Sequence, residues 1–154
     1  MQLDSAMKRH PYLQPLSREH HLGLVISNKA MQANEADYMM HWQALIDYLT
    51  IRIPIHFEVE KTYIADVILA KLNEDEAKML ATEMLKQHDE IEALMGIKQP
   101  DVSDVQALAW ALYDHIRFEE REVFAKAQTV LSEAELKVIY DASDDRVKRY
   151  AKNR

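Results

Sequence analysis

The sequence contains no cysteine, which excludes disulfide bonds, thiolate–zinc sites, iron–sulfur clusters and thiol catalysis. It has only two glycines and four prolines among 154 residues, too few turn-forming residues for a fold with many β-strands. Positive charge is also in deficit, and the net charge of −7 argues against nonspecific binding to nucleic acid or to an anionic membrane. No apolar run reaches the length of a membrane span, and residues 1–11 lack the apolar core of a signal peptide. These absences predict a soluble, cytoplasmic protein.

The residues that are frequent favour helix, and they predict an all-α fold. Alanine, leucine, glutamate, lysine and methionine are all plentiful and all have high helix propensity. Capping residues, turn residues and apolar spacing predict four long helices and a shorter fifth one. Pro54 removes a backbone hydrogen bond inside the second helix and predicts a kink there. The predicted helices cover residues 17–34, 35–72, 73–96, 103–130 and 132–154, after an arm over residues 1–15.

Two pairs of residues have a spacing that matters for chemistry. In a first pair, His56/Glu60, and a second pair, His115/Glu119, the histidine precedes the glutamate by four residues. On a helix this spacing places both side chains on one face. His88/Glu92 has the same spacing; Glu92 is interpreted as a solvated helix residue, with a role as ligand or hydrogen-bond partner as the alternative.

The positions of the predicted turns indicate that these pairs share one level of the fold. In a hairpin of two antiparallel helices, residues at the same height are equidistant from the turn. His88 is therefore level with the first pair across a turn at Asn73, and level with the second pair across a turn at Pro100–Ser103. His21 is the candidate from the first helix, although the position halfway between it and the first pair falls a few residues beyond the predicted turn. Four imidazoles and two carboxylates in one layer would form a dinuclear metal site.

Imidazole and carboxylate ligands suit iron, manganese or zinc, and the absence of sulfur ligands disfavours softer metals. Six such side chains supply about eight bonds, whereas two six-coordinate metal ions need about twelve. Bridging oxygens or exchangeable ligands must supply the remainder. An open iron position of this kind can bind dioxygen, nitric oxide or peroxide. The motifs Glu-x-x-His and His-Glu-x-x-His, typical of other dinuclear and zinc sites, do not occur.

Four segments together resemble the hemerythrin-like (HHE) cation-binding family. They are residues 17–21 (SREHH), His56-Phe57-x-x-Glu60, the isolated His88, and His115-x-x-Phe118-Glu119-Glu120-Arg121, within a region of similarity from Pro15 to Phe124. The resemblance implies a single hemerythrin-like domain over residues 1–154, with an antiparallel four-helix bundle over residues 16–130. It also implies a non-haem diiron centre with an oxo or hydroxo bridge, in which manganese and zinc are substitutes for iron.

The resemblance further implies a role for each candidate residue. The terminal ligands would be His21, His56, His88 and His115, and the bridging carboxylates would be Glu60 and Glu119. His20 competes with His21 for one role, and the leucine three residues after His21 favours His21. Position 92 is a glutamate and position 84 a methionine, so the third helix lacks the second histidine of the oxygen-carrying hemerythrins.

Two functions follow as hypotheses. The first is a binding protein that takes up dioxygen or nitric oxide for sensing, storage or delivery, as a monomer or homodimer. The second is an enzyme whose diiron centre reduces nitric oxide or peroxide, or donates iron to damaged iron centres. The third hypothesis is a helical bundle in which the metal has only a structural role.

Overall fold

The structure is a computed structural model that describes residues 8–71 and 73–152. Within these ranges the chain is helical almost throughout and contains no β-strand, which confirms the predicted all-α class. Residues 1–7 of the predicted arm, Leu72 at the predicted boundary of the second and third helices, and the last two residues of the predicted fifth helix lie outside the described residues.

Six helices occupy the described ranges, after a short 3₁₀ turn at Pro11–Leu13. They are α1 (Gln14–Ala30), α2 (38–71), α3 (Asp75–Met95), α4 (102–130), α5 (Glu133–Ala142) and α6 (Asp145–Lys152). Helices α2 and α4 are continuous but change their hydrogen-bonding pattern along their length. In α2, π-helical turns at Tyr48–Arg52 and Glu60–Ala65 separate three α-helical segments, and in α4 one π-helical turn occupies Glu119–Val123.

The predicted starts of α1, α3 and α4 are right to within a few residues, but the residues that cap these helices differ from the predicted ones. Helix α1 begins at Gln14 rather than after Ser17, because Pro15 lies in the first turn, where a helix does not use its N–H group. Helix α3 is capped by Glu74, which accepts from the backbone N–H of Ala77, rather than by Asn73. The reciprocal capping box of α4 is formed by residues 101 and 104, two residues before the predicted one.

The C-terminal region also differs from its prediction. Ser132 and Glu135 form the predicted capping box at the start of α5. The helix then stops at Ala142, so the single predicted fifth helix is two short ones. Ser143, with extended backbone, separates them, and its hydroxyl donates back to the carbonyl of Ile139. No helix in the described part of the chain is long and apolar enough to cross a membrane.

Two buried apolar clusters pack among the first four helices, and the candidate residues lie between them. One cluster contains Leu16, Ile64, Met84 and Val123, and the other contains Ala30, Ile53, Ile91 and Leu112, among others. Along each of α1 to α4, the chain passes from one cluster to the other through the candidate histidine or glutamate. The polar side chains therefore form a layer with apolar packing on both sides.

Candidate metal centre

Two of the four contributing helices supply a histidine and a glutamate with the expected spacing, and the two carboxylates start π-helical turns. His56 and Glu60 lie one turn apart on α2, and His115 and Glu119 lie one turn apart on α4. The π turns begin at Glu60 and at Glu119 and close with hydrogen bonds between residues five apart. Such turns insert one residue into an α-helix and occur frequently at functional sites. Here they let the helix hold a carboxylate inward and then restore the apolar face beyond it.

The first group of possible metal ligands consists of His20, His56, Glu60 and Glu119. His56 Nε2 lies 2.7 Å from Glu60 Oε2, and His20 Nε2 lies 2.8 Å from Glu119 Oε1. The two ring nitrogens are 3.0 Å apart. All four side chains are at most 3 % exposed.

The second group consists of Glu60, His88, His115 and Glu119. His88 Nε2 lies 3.0 Å from Glu60 Oε1 and 3.3 Å from Glu119 Oε2. His115 Nε2 lies 2.9 Å from the same Glu119 oxygen. Each carboxylate therefore directs one oxygen towards the first pair of histidines and the other oxygen towards the second pair. This is the arrangement in which a carboxylate can bridge two ions.

Several of the inward atoms lie close to one another without forming hydrogen bonds. Glu60 Oε2, Glu119 Oε1 and His115 Nε2 are buried and form no hydrogen bond, although each has a nitrogen or oxygen atom within 3 Å. Buried polar atoms without a hydrogen bond are rare in proteins and can mark the position of an ion. Two ligand atoms bound to one metal at about 2.1 Å and at right angles lie about 3 Å apart, which is close to the distances here. The six side chains thus fit one or two divalent ions.

Charges within the cluster favour ionised groups when no metal is bound. Burial by itself lowers the pKa of His20 and His88, but the close contacts of both rings with the neighbouring glutamates outweigh it. The pKa of His88 is thereby raised to about 10, and that of His20 is raised well above its ordinary value. Burial acts to raise the pKa of Glu119, yet the neighbouring histidines hold it well below the usual range. Metal ions would have to displace protons from these rings.

The structure brings His20 into the cluster and leaves His21 outside it, which reverses the order of the two candidates. His20 is 2 % exposed, whereas His21 is on the exposed face of α1. The other five predicted site residues, His56, Glu60, His88, His115 and Glu119, all lie in the cluster.

The reason for the reversal is the small size of Gly23. A Cβ atom at this position would lie 2.5 Å from the Tyr48 hydroxyl oxygen and 2.7 Å from Ile116 Cδ1, so α1 packs closely against α2 and α4 there. His20 is three residues before Gly23 and therefore shares its inward face. The sequence prediction used Leu24 as an inward residue, but Leu24 is only partly buried. A glycine inside a helix was the available signal, since it costs helix stability and often marks close packing.

Two partners on the outer side of the cluster had no role in the sequence prediction. Glu120 Oε2 lies 2.6 Å from His20 Nδ1, and Gln87 Oε1 lies 2.8 Å from His115 Nδ1. Outer hydrogen bonds of this kind fix the ring orientation of histidine ligands. Glu120 was visible in the sequence beside Glu119, but the four-residue spacing from His115 selects only Glu119, and the contact of Glu120 with His20 joins two different helices. Glu92 is exposed and lies outside the cluster, but it lines a cavity that His88 also lines.

This cavity of about 490 Å³ reaches the cluster at His88. Its wall includes Phe57, whose ring is stacked on that of His88 with centroids 4.0 Å apart. Its polar lining is three carboxylates, Glu58, Asp89 and Glu92, and one lysine, Lys61. His88 is the most exposed of the four clustered histidines at 7 %, so a small molecule can approach the cluster from this side. A smaller cavity, of about 260 Å³, is lined by His20, His21 and Glu120.

Known proteins add no assignment to this geometry. None of the family models, curated proteins or solved structures compared with the chain matches it.

Proposed function

We propose that this chain is a hemerythrin-like protein, an antiparallel four-helix bundle of α1 to α4, that holds two iron ions between His20, His56, Glu60, His88, His115 and Glu119. The observation that supports this best is that each of two buried carboxylates spans two pairs of histidines. Iron suits this mixture of nitrogen and oxygen ligands, and manganese and zinc are substitutes. His20 replaces His21 in the ligand set that the resemblance implied.

The proposed activity is the binding of dioxygen or nitric oxide for sensing, storage or delivery. Iron held by these residues would supply an open coordination position for such a ligand, because six side chains do not saturate two ions. The protein's own residues would keep the ions away from bulk water. Phe57 covers one face of the His88 ring, and Phe124 is stacked against His20 with centroids 5.3 Å apart.

The cavity beside His88 favours a second candidate function, an enzyme. A volume of about 490 Å³ is within the range of pockets that hold organic molecules and is far larger than a diatomic gas requires. A reductant in this cavity would allow turnover of nitric oxide or peroxide, and release of iron for repair of other iron centres would use the same opening. Neither alternative changes the ligand set.

Ligand binding and turnover are separated by one experiment. Iron-loaded protein, purified without air, is mixed with a measured amount of dioxygen, nitric oxide or peroxide while the optical spectrum is recorded, with and without excess reductant. A change that ends at a fixed ratio of ligand to protein in both mixtures supports binding. Continued consumption with reductant supports the enzyme.

The same measurement on two variants tests the site. Glu119→Ala removes a bridging candidate and should abolish the spectral change. Glu122→Ala, on the exposed face of the same helix, is the control and should retain it. Equal behaviour of both variants would contradict the site assignment.

A further inference from the structure

The outer sides of the two histidine pairs differ, and the first pair has a direct carboxylate partner. His20 Nε2 faces the cluster, and its Nδ1 lies 2.6 Å from Glu120 Oε2. Glu120 is itself held on two sides. Ser17 Oγ donates to the same carboxylate oxygen at 2.7 Å, and Arg9 Nη2 lies 3.4 Å from the other oxygen and donates to the backbone carbonyl of Glu120 at 2.6 Å. The carboxylate is thus fixed by a hydroxyl and a guanidinium.

The second pair has a neutral partner and the open side. His115 Nδ1 lies 2.8 Å from the amide oxygen of Gln87, and the amide nitrogen of Gln87 donates to Glu83 Oε2 at 3.0 Å. The carboxylate on this side is therefore one residue further from the ring. His88, the other member of the pair, lines the cavity.

We propose that Glu120 is a positioning residue that makes the two metal positions unequal. The position formed by His20 and His56 holds its ion more tightly and fills first. The position formed by His88 and His115 is the exchangeable one, and it is the position that meets a ligand arriving through the cavity. This inference rests on the proposed metal site.

The physical reason is the effect of an outer carboxylate on a histidine ligand. A carboxylate that accepts from Nδ1–H increases the electron-donating strength of Nε2 and fixes the ring in the binding orientation. A neutral amide does the same more weakly, because it has no net charge. Removal of such outer partners typically weakens metal binding by roughly 10- to 100-fold. Exposure acts in the same direction, since the cavity that His88 lines is about 490 Å³, whereas the one that His20 and Glu120 line is about 260 Å³, and His88 is the more exposed of the two rings.

Zinc titration followed by NMR of ¹⁵N-labelled histidine tests the proposal without any activity assay. Coordination shifts the ring nitrogen signals of the histidines that bind. The first equivalent of Zn²⁺ should shift the signals of His20 and His56, and the second equivalent those of His88 and His115. Calorimetry on the same samples gives the two binding constants.

Two variants test whether the partners of His20 and His115 determine the order in which the two metal positions fill. Glu120→Gln keeps the shape of the side chain and removes its charge, and it should weaken the first binding constant by roughly 10- to 100-fold and leave the second nearly unchanged. The double variant Glu83→Gln, Gln87→Glu keeps the net charge and moves the carboxylate next to His115. This variant should bind the second ion more tightly and reduce the difference between the two binding constants.

The outcomes distinguish this inference from the proposed function. Protein that binds neither zinc nor iron contradicts both. Simultaneous shifts of all four rings, or equal weakening of both constants in Glu120→Gln, overturn the inequality and leave the metal site in place. If Glu120→Gln does not fold, Ser17→Ala, which removes one donor to the carboxylate, should weaken the first constant by a smaller factor. An unchanged constant in that variant, together with an unchanged difference in the double variant, also overturns the proposal.

Discussion

Removal of metal should destabilise this protein substantially, because the proposed ligands join all four long helices. The six side chains are between 0 and 7 % exposed and come from α1, α2, α3 and α4. An ion that binds only the folded state stabilises it by about 2.7 kcal/mol when its free concentration is 100 times its Kd. Two such ions give about 5 kcal/mol. For a chain of this length that corresponds to a rise in Tm of about 10–20 °C.

Differential scanning calorimetry of metal-free and metal-loaded protein measures this increment directly. Glu60→Ala removes one of the two bridging candidates, so most of the increment should be lost in the variant. Glu58→Ala is the matched control. Glu58 is exposed and its carboxylate accepts only from the neighbouring Thr62 hydroxyl among the contacts that the structure shows, so its Tm increment should stay close to that of the unmodified protein.

The result that would refute the reasoning is equal melting of the metal-free and metal-loaded proteins. Equal loss of the increment in Glu58→Ala and Glu60→Ala would refute it too, because it would show that the effect of metal does not depend on the buried cluster. In the metal-free protein the imidazoles and carboxylates pair with one another, and this pairing offsets part of the free-energy cost of burying them. This pairing makes the predicted increment smaller than the coordination energy alone.

Four further results are expected. His20→Ala should lose at least one metal ion per chain, whereas His21→Ala should keep both, as metal analysis of the two purified variants will show. The metal-free protein should lose stability as pH rises from about 6.5, the ordinary pKa of an unfolded histidine, towards the raised pKa of His88 at about 10, because the folded state binds these protons more tightly. The Tm increment due to metal should grow over the same interval up to about pH 8, because binding displaces protons, and a flat or falling increment would contradict the pKa directions. Gly23→Ala should cost about 1–3 kcal/mol in chemical unfolding, because its new methyl group overlaps a side-chain oxygen at 2.5 Å. Gly96→Ala is the control: its Cβ meets only backbone oxygens, the nearer at 3.4 Å, and φ at this position is −79°, so stability should change by less than about 1 kcal/mol.

The helical class and most of the helix boundaries could be predicted because they depend on local chemistry. Glycine and proline are scarce, and Ser132 with Glu135 is a complete local capping signal that the structure confirms. The end of α3 at Met95, with Gly96 as its cap residue, is local in the same way. The cap of α4 was predicted two residues late, because Asp101 is as good a capping residue as Ser103 and the choice depends on where the preceding turn ends.

The candidate site could be predicted where one helix supplies both members of a pair. His56/Glu60 and His115/Glu119 each need only the spacing of a helix. The choice between His20 and His21 could not be predicted in this way. It depends on the rotation of α1 about its axis, which is fixed by the tertiary contact at Gly23.

The length of the connection between α1 and α2 and the positions of the π turns could not be predicted from the sequence either. Helix α1 ends at Ala30, ten residues after His20, whereas α2 begins at Tyr38, eighteen residues before His56. The connection over residues 31–37 must therefore cover the difference along the helix axis, so it is not the tight hairpin turn that the level criterion assumes. A π turn at Tyr48–Arg52 lies just before Pro54, the residue at which a kink was predicted. No local sequence rule predicts such turns.

The central claim is that the buried cluster holds two iron ions, and elemental analysis tests it most directly. Protein is produced with iron in the medium, purified without air and analysed for iron, zinc and manganese against an accurate protein concentration. The proposal predicts about two iron ions per chain, since the six ligands form two groups that share both carboxylates. A metal content near one per chain, zinc that iron cannot replace, or protein that remains free of metal would contradict it.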